Sequence, residues 1–82
     1  MRMEEHEVIV YTTPHCPWCA AVKEYLRERD ISFTEIDVSE DRQAAMEMVE
    51  KSGQMGVPVI EIDGEIVVGF DKERLDYLLG LH

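Results

Sequence analysis

The apolar positions fall into short blocks whose spacing changes along the chain. Val8-Ile9-Val10-Tyr11 is an unbroken β-branched and aromatic run stopped at Thr12-Thr13-Pro14, the pattern of a strand covered on both faces. From Pro17 to about Asp30 the period lengthens. Val22, Tyr25 and Leu26 recur at spacings of three and four, which predicts an amphipathic helix. Pro17 suits its first position, where the N–H that proline lacks would have no partner. Ile31-Ser32-Phe33-Thr34-Glu35-Ile36 alternates and predicts a second strand. Ser39 is the expected N-cap of a second helix reaching about Lys51, with Glu40 and Asp41 in its first turn and Ala45, Met48 and Val49 turned inward. After the loop Ser52-Gly53-Gln54-Met55-Gly56 come two strands, Val57-Pro58-Val59-Ile60-Glu61-Ile62 and Glu65-Ile66-Val67-Val68. They are joined by Asp63-Gly64, a strong signal for a two-residue hairpin turn. Asp71 caps a last helix with Leu75, Leu78 and Leu79 inward, and Gly80 ends it.

The order β-α-β-α-β-β-α predicts an α/β fold. A helix joins the first two strands, so they are expected to be parallel with a right-handed crossover, while the closing hairpin is antiparallel. The result is a four-stranded mixed sheet flanked by three helices on both faces, read as a single domain over residues 1–82. A chain of 82 residues buries only about 60–65% of its unfolded surface, which excludes an active site assembled between domains. Its 45% hydrophobic content, with five Gly and three Pro, lies outside the disordered range.

Charge narrows the partners. Asp and Glu number 18 against 8 Lys and Arg, a net −10, which repels phosphate backbones and anionic lipid and argues against nucleic acid and membrane. No run approaches the roughly 18 apolar residues of a membrane span. The first seven residues are too polar for a signal peptide and too acidic for a transit peptide, so the expected location is cytoplasmic. The charge is also uneven. Neither Val8 to Val22 nor Ser52 to Ile60 contains an Asp, Glu, Lys or Arg, which implies an uncharged docking face on an acidic body and a partner with a basic rim.

The uncharged stretches frame Cys16-Pro17-Trp18-Cys19, which holds both cysteines of the chain. A bridge closing so small a loop constrains the unfolded chain little, and close-set cysteines in a reducing compartment are more often redox-active or metal-binding than structural. If Pro17 is the first helical residue, Cys16 occupies the N-cap and its sulfur faces the free N–H groups of Trp18 and Cys19. Cysteines in such positions titrate at roughly 3.5–7.5 rather than about 8.5. Cys16 is therefore the candidate nucleophile. Cys19, most of a turn further in and turned toward the sheet, is the candidate resolving cysteine. Structural zinc needs four ligands; only His6, His15 and His82 could add to the pair, without ligand spacing, so no metal is expected. His15 reads as an exposed loop residue, Trp18 as an exposed ring beside the thiol, and Lys23 as part of a solvated face with Arg27. Met48 is at core spacing and Met55 is a candidate partner contact. Asp37, just after the second strand, is a candidate buried proton acceptor. No carboxylate pair, phosphate loop or Ser-His-Asp set is present.

Tyr11 through Cys19, the Gly56-Val57-Pro58 step and Gly69-Phe70-Asp71 together resemble a glutaredoxin, within the thioredoxin superfamily. The likeness covers nearly the whole chain, with Trp18 where the family usually has Tyr. It implies a thioredoxin-like fold and a small dithiol–disulfide oxidoreductase that acts as an electron carrier, a monomer binding no cofactor of its own. By that resemblance Val57-Pro58 is a cis step that presents the Val57 backbone to substrate. Trp18, Val57, Pro58, Gly69, Phe70 and Asp71 form the implied substrate-binding set. The partners implied are a disulfide-containing protein and an electron donor, either glutathione or a thioredoxin reductase. Thr13 and Lys72 depart from the charge partners that many glutaredoxins offer glutathione, as do the thioredoxin-reductase-dependent members. The alternative is a glutathione-assisted iron–sulfur cluster carrier or scaffold.

Overall fold

The computed structural model describes residues 6–80; His82 and the segment before His6 lie outside the described residues. The elements are β1 (Val8–Thr12), α1 (Pro17–Glu28), β2 (Thr34–Asp37), α2 (Arg42–Ser52), β3 (Val59–Ile62), β4 (Glu65–Val68) and α3 (Lys72–Leu79). The strands form one mixed sheet in the order β2-β1-β3-β4. β1 runs parallel to β2, with Val10 opposite Glu35, and antiparallel to β3, with Val10 opposite Ile60; β3 and β4 are antiparallel. This is the sheet and element order that the sequence predicts.

Strand alternation divides the core in two. Val8 and Val10 face one side with Ile60, Ile62 and Val67, where Val22, Tyr25 and Leu26 of α1 and Leu75 and Leu79 of α3 close over them. Ile9 and Tyr11 face the other side with Val59, against Ala44 and Met48 of α2. Val22 and Leu26 are completely buried, and each such side chain stabilises the fold by roughly 1.5–3 kcal/mol, which fixes α1 on the sheet. On the α2 face the Tyr11 hydroxyl accepts a hydrogen bond from Lys51 Nζ at 3.2 Å, and the same ammonium donates to Glu61 at 2.8 Å. Glu61 first and Tyr11 second raise the Lys51 pKa above its ordinary value.

Several boundaries differ from the expected ones. β2 starts at Thr34 instead of Ile31. α1 exits through Asp30 at a φ of 58°, the Ile31 N–H turns back to the Leu26 carbonyl at 3.0 Å, and Ile31 and Phe33 cover the α1 side of the core instead of pairing. α2 starts later because Ser39 is already committed: its N–H and hydroxyl both donate to Asp37 Oδ1, at 2.9 and 2.5 Å. Asp41 takes over as N-cap, accepting from the Ala44 N–H at 3.1 Å. Neither Glu40 nor Asp41 is then in the first turn, and the most buried positions become Ala44 and Met48, with Ala45 and Val49 half-buried. Asp37 is half-exposed and occupied by Ser39, so it is not the buried acceptor expected. Lys23 pairs with Glu35 at 2.7 Å across α1 and β2 instead of lying free on a solvated face. β3 begins at Val59, because Pro58 has no N–H to give a ladder. The hairpin turn is as predicted, with Asp63 at φ 51° and Gly64 at 91°, both positive as a type I′ turn requires. α3 lies between its expected caps, Asp71 and Gly80.

Candidate active site

Strand direction brings three chain segments to one end of the sheet. β1 ends there and leads into Cys16. β3, antiparallel to it, begins there after Val57-Pro58, and β4 ends there before Gly69-Phe70. Contacts join these segments around the first cysteine. Cys16 Sγ lies 3.9 Å from the Val57 carbonyl oxygen. The Gly69 N–H donates to the Pro58 carbonyl at 2.8 Å. Phe70 then meets Trp18, ring centroids 6.2 Å apart, and Tyr25 edge-on at 5.7 Å, which returns the path to α1. The Val57–Pro58 peptide is cis. Pro58 is buried and Val57 half-buried.

Cys16 is the N-cap of α1 and Pro17 its first helical residue, as predicted. Its sulfur accepts the Cys19 N–H at 3.1 Å; the expected second donor, Trp18 N–H, makes no such bond. That donor sits at the positive end of the helix dipole and faces any negative charge the sulfur carries. Cys16 is half-buried and Cys19 is buried, and both are free thiols. Burial, followed by its hydrogen bond with Cys16, pushes the Cys19 thiol above its usual pKa. The Thr12 side chain and the Thr13 backbone, both within reach of the Cys19 sulfur, pull the other way. The pair is thus asymmetric, with one accessible sulfur solvated by a peptide N–H and one buried sulfur that holds its proton.

Thr12 escapes the sequence reading, which ends the first strand at Tyr11. It is 1% exposed, and its hydroxyl lies 3.3 Å from the Thr13 carbonyl. The parity of β1 is the signal that finds it: Val8, Val10 and Thr12 share the face under α1. The remaining candidates divide. Trp18 is 63% exposed and His15 is exposed. The Asp71 carboxylate accepts the Arg74 N–H at 3.2 Å as the cap of α3, so it orients Phe70 by fixing the helix start. Among the described residues no group of three or more His, Cys, Asp and Glu could hold a metal; His6 is engaged with Asp63 at 2.6 Å. No helix among them is long and apolar enough to cross a membrane.

The chain is similar to known proteins. The family model for glutaredoxins matches residues 8–67. An uncharacterised glutaredoxin-like 8.6 kDa protein in the rubredoxin operon of Clostridium pasteurianum is 49% identical over 70 residues, covering 85% of this chain and 93% of that one. Glutaredoxin 3 of Escherichia coli is 34% identical over 64 residues, covering 78% and 77%. Among solved structures, a thioredoxin-like protein superposes with a TM-score of 0.87 at 36% identity over 93% of this chain and 97% of that one. The glutaredoxin of Archaeoglobus fulgidus does so with 0.81 at 27%, over 89% and 85%.

Proposed function

The chain belongs to the glutaredoxin family, and from that premise we propose that it is a dithiol–disulfide oxidoreductase in which Cys16 attacks and Cys19 resolves. The observation that carries this reading is the asymmetry of the pair: an N-cap sulfur at 3.1 Å from a peptide N–H, and a buried thiol whose pKa is raised. The Cys16 thiolate attacks one sulfur of a substrate disulfide, forming a mixed disulfide and expelling the other half as a thiolate that takes a proton from water. Cys19 then loses its proton, and its thiolate attacks Cys16 Sγ. The second half of the substrate leaves as a thiolate and is protonated, and two electrons have passed from the dithiol to the substrate. An external thiol donor returns them by the reverse exchange.

Substrate docks as an extended segment on the Val57 backbone, flanked by the ring of Trp18 and by Gly69, Phe70 and the Asp71-capped start of α3. The substrates are protein or small-molecule disulfides, and the protein works as a cytoplasmic monomer carrying no cofactor. The donor is a thioredoxin reductase in preference to glutathione. Thr13 and Lys72 stand where charge partners for glutathione would be expected, and Lys72 opens α3 with a cation in place of an acid. Two variants test the roles. Cys19→Ser is expected to accumulate a covalent adduct with its partner through Cys16, visible as a mass shift that thiol reductant reverses. Cys16→Ser is expected to lose exchange altogether. Reduction of a disulfide by Cys16→Ser at the wild-type rate would refute the assignment.

A further inference from the structure

A groove on the outer side of α2 is left unused by the exchange chemistry. It measures about 600 Å³ and is lined by Arg42, Met46, Glu47, Val49 and Glu50 of the helix and by Met55 of the following connection. Met46 is 64% and Met55 82% exposed. Packing does not require them, because Met48, 2% exposed, already fills the core position of this helix. Methionine is unbranched and polarisable, suited to receiving apolar side chains of varied shape.

The groove and the site are close along the chain. Met55 precedes by two residues the Val57 whose carbonyl lies 3.9 Å from Cys16 Sγ, and two residues of chain span at most about 7 Å. Val57 lies outside the β3 ladder. A segment paired on its backbone advances about 3.3 Å per residue, so a few residues are enough to cover the distance from Val57 to Met55. This side of the groove is acidic, with Glu47 at the middle of α2 and Glu50 toward the end that feeds Met55. Arg42, the first residue of α2, closes the far end. Resting on the dithiol reading above, we infer that this groove is a second docking site for protein disulfide substrates. It takes an apolar side chain a few residues from the reacting cysteine, with a Lys or Arg beside it that meets Glu47 and Glu50.

Four synthetic peptides test the inference. The first is a core closed by one intramolecular disulfide. The second and third extend that core by Gly-Leu-Lys on its N-terminal or its C-terminal side, and the fourth replaces the Lys of the better extension by Glu. Hydroxyethyl disulfide is the small control. One extension is expected to raise kcat/KM by about five- to tenfold over the core, the scale of one half-buried apolar side chain. The Glu peptide should lose part of that gain. The double variant Met46→Gln, Met55→Gln should lose all of it and still reduce hydroxyethyl disulfide at the wild-type rate. The inference is overturned if neither extension helps, or if the gain survives in the double variant. Failure of the wild type to reduce hydroxyethyl disulfide would instead count against the dithiol reading. Calorimetric titration with the same peptides, reduced and S-methylated, would then decide the groove, with loss of the extension's extra affinity in the double variant as the supporting result.

Discussion

Thr12→Val removes one hydroxyl from a fully buried position and leaves the shape of the side chain nearly intact. In the wild type that hydroxyl is one of the few groups that favour ionisation of Cys19, opposing burial and the neighbouring Cys16 sulfur. On ionisation of Cys19 the hydroxyl is free to turn from the Thr13 carbonyl, 3.3 Å away, to the sulfur; a hydrogen bond to an ionised partner is worth about 1.5–3 kcal/mol, so its loss lowers the Cys19 thiolate population by roughly 10- to 150-fold at neutral pH. A more basic thiolate is also a better nucleophile, with a Brønsted slope of about 0.4–0.5, which offsets part of the loss and leaves the resolving step roughly four- to fifteenfold slower. An aromatic disulfide such as dithiobis(nitrobenzoate) separates the two steps in stopped flow, because the first chromophoric thiol is released by Cys16 and the second by Cys19. The variant should keep the first phase and slow only the second, while stability changes by about 0.5–1.5 kcal/mol, the net worth of one hydrogen bond. Loss of the first phase to the same extent, or a second phase within twofold of wild type, would refute the assignment of Thr12 as a positioning residue for Cys19.

Other outcomes follow from the same geometry. The oxidised protein should be reduced faster by a thioredoxin reductase than by glutathione with its reductase; faster turnover with glutathione would overturn the reading of Thr13 and Lys72. Lys51→Met removes the ammonium shared by Tyr11 and Glu61. Because the Lys51 side chain is 38% exposed, screening limits the cost to about 0.5–1 kcal/mol. The folded pKa is raised, so this stabilisation is fully present below the unfolded value of about 10.4 and fades as pH rises through the folded one. The difference in Tm between wild type and variant should therefore be constant from neutral pH to about 9 and shrink above about 10.4; a gap that grows with alkalinity would contradict the sign. Anaerobic reconstitution with iron, sulfide and glutathione should leave the protein colourless and monomeric, and visible absorbance with dimerisation would favour a cluster carrier.

Local signals were read from the sequence with few errors. Pro17 after Cys16, Asp63-Gly64, and the Asp71 and Gly80 bracket each depend on a few adjacent residues, and the structure keeps all of them. Ser39 was the expected cap of the second helix and Asp41 a first-turn residue, yet Asp41 caps it. The choice between them depended on Asp37, which captures both donors of Ser39. Ile31 and Phe33 alternate like a strand, but tertiary burial under α1 uses that alternation without a ladder. The site was legible where chemistry is concentrated in one motif, at Cys16 and Cys19. It was hidden at Thr12, whose role comes from α1 folding back over β1. The groove at Met46 and Met55 was only half visible, because a solvent-facing methionine in a helix looks the same in sequence whether or not a loop folds against it.

Trp18 is the sole tryptophan of the chain; it lies between the two cysteines in sequence and contacts Phe70 at 6.2 Å. Its indole therefore emits from beside the cysteine pair, with no second indole in the chain to contribute. Thiolates and disulfides quench indole fluorescence to different extents, so oxidation of the pair, adduct formation at Cys16 and arrival of a ligand on the Phe70 side can each be followed as a change in ultraviolet emission. The protein carries an intrinsic optical readout of its own redox state and needs no attached dye.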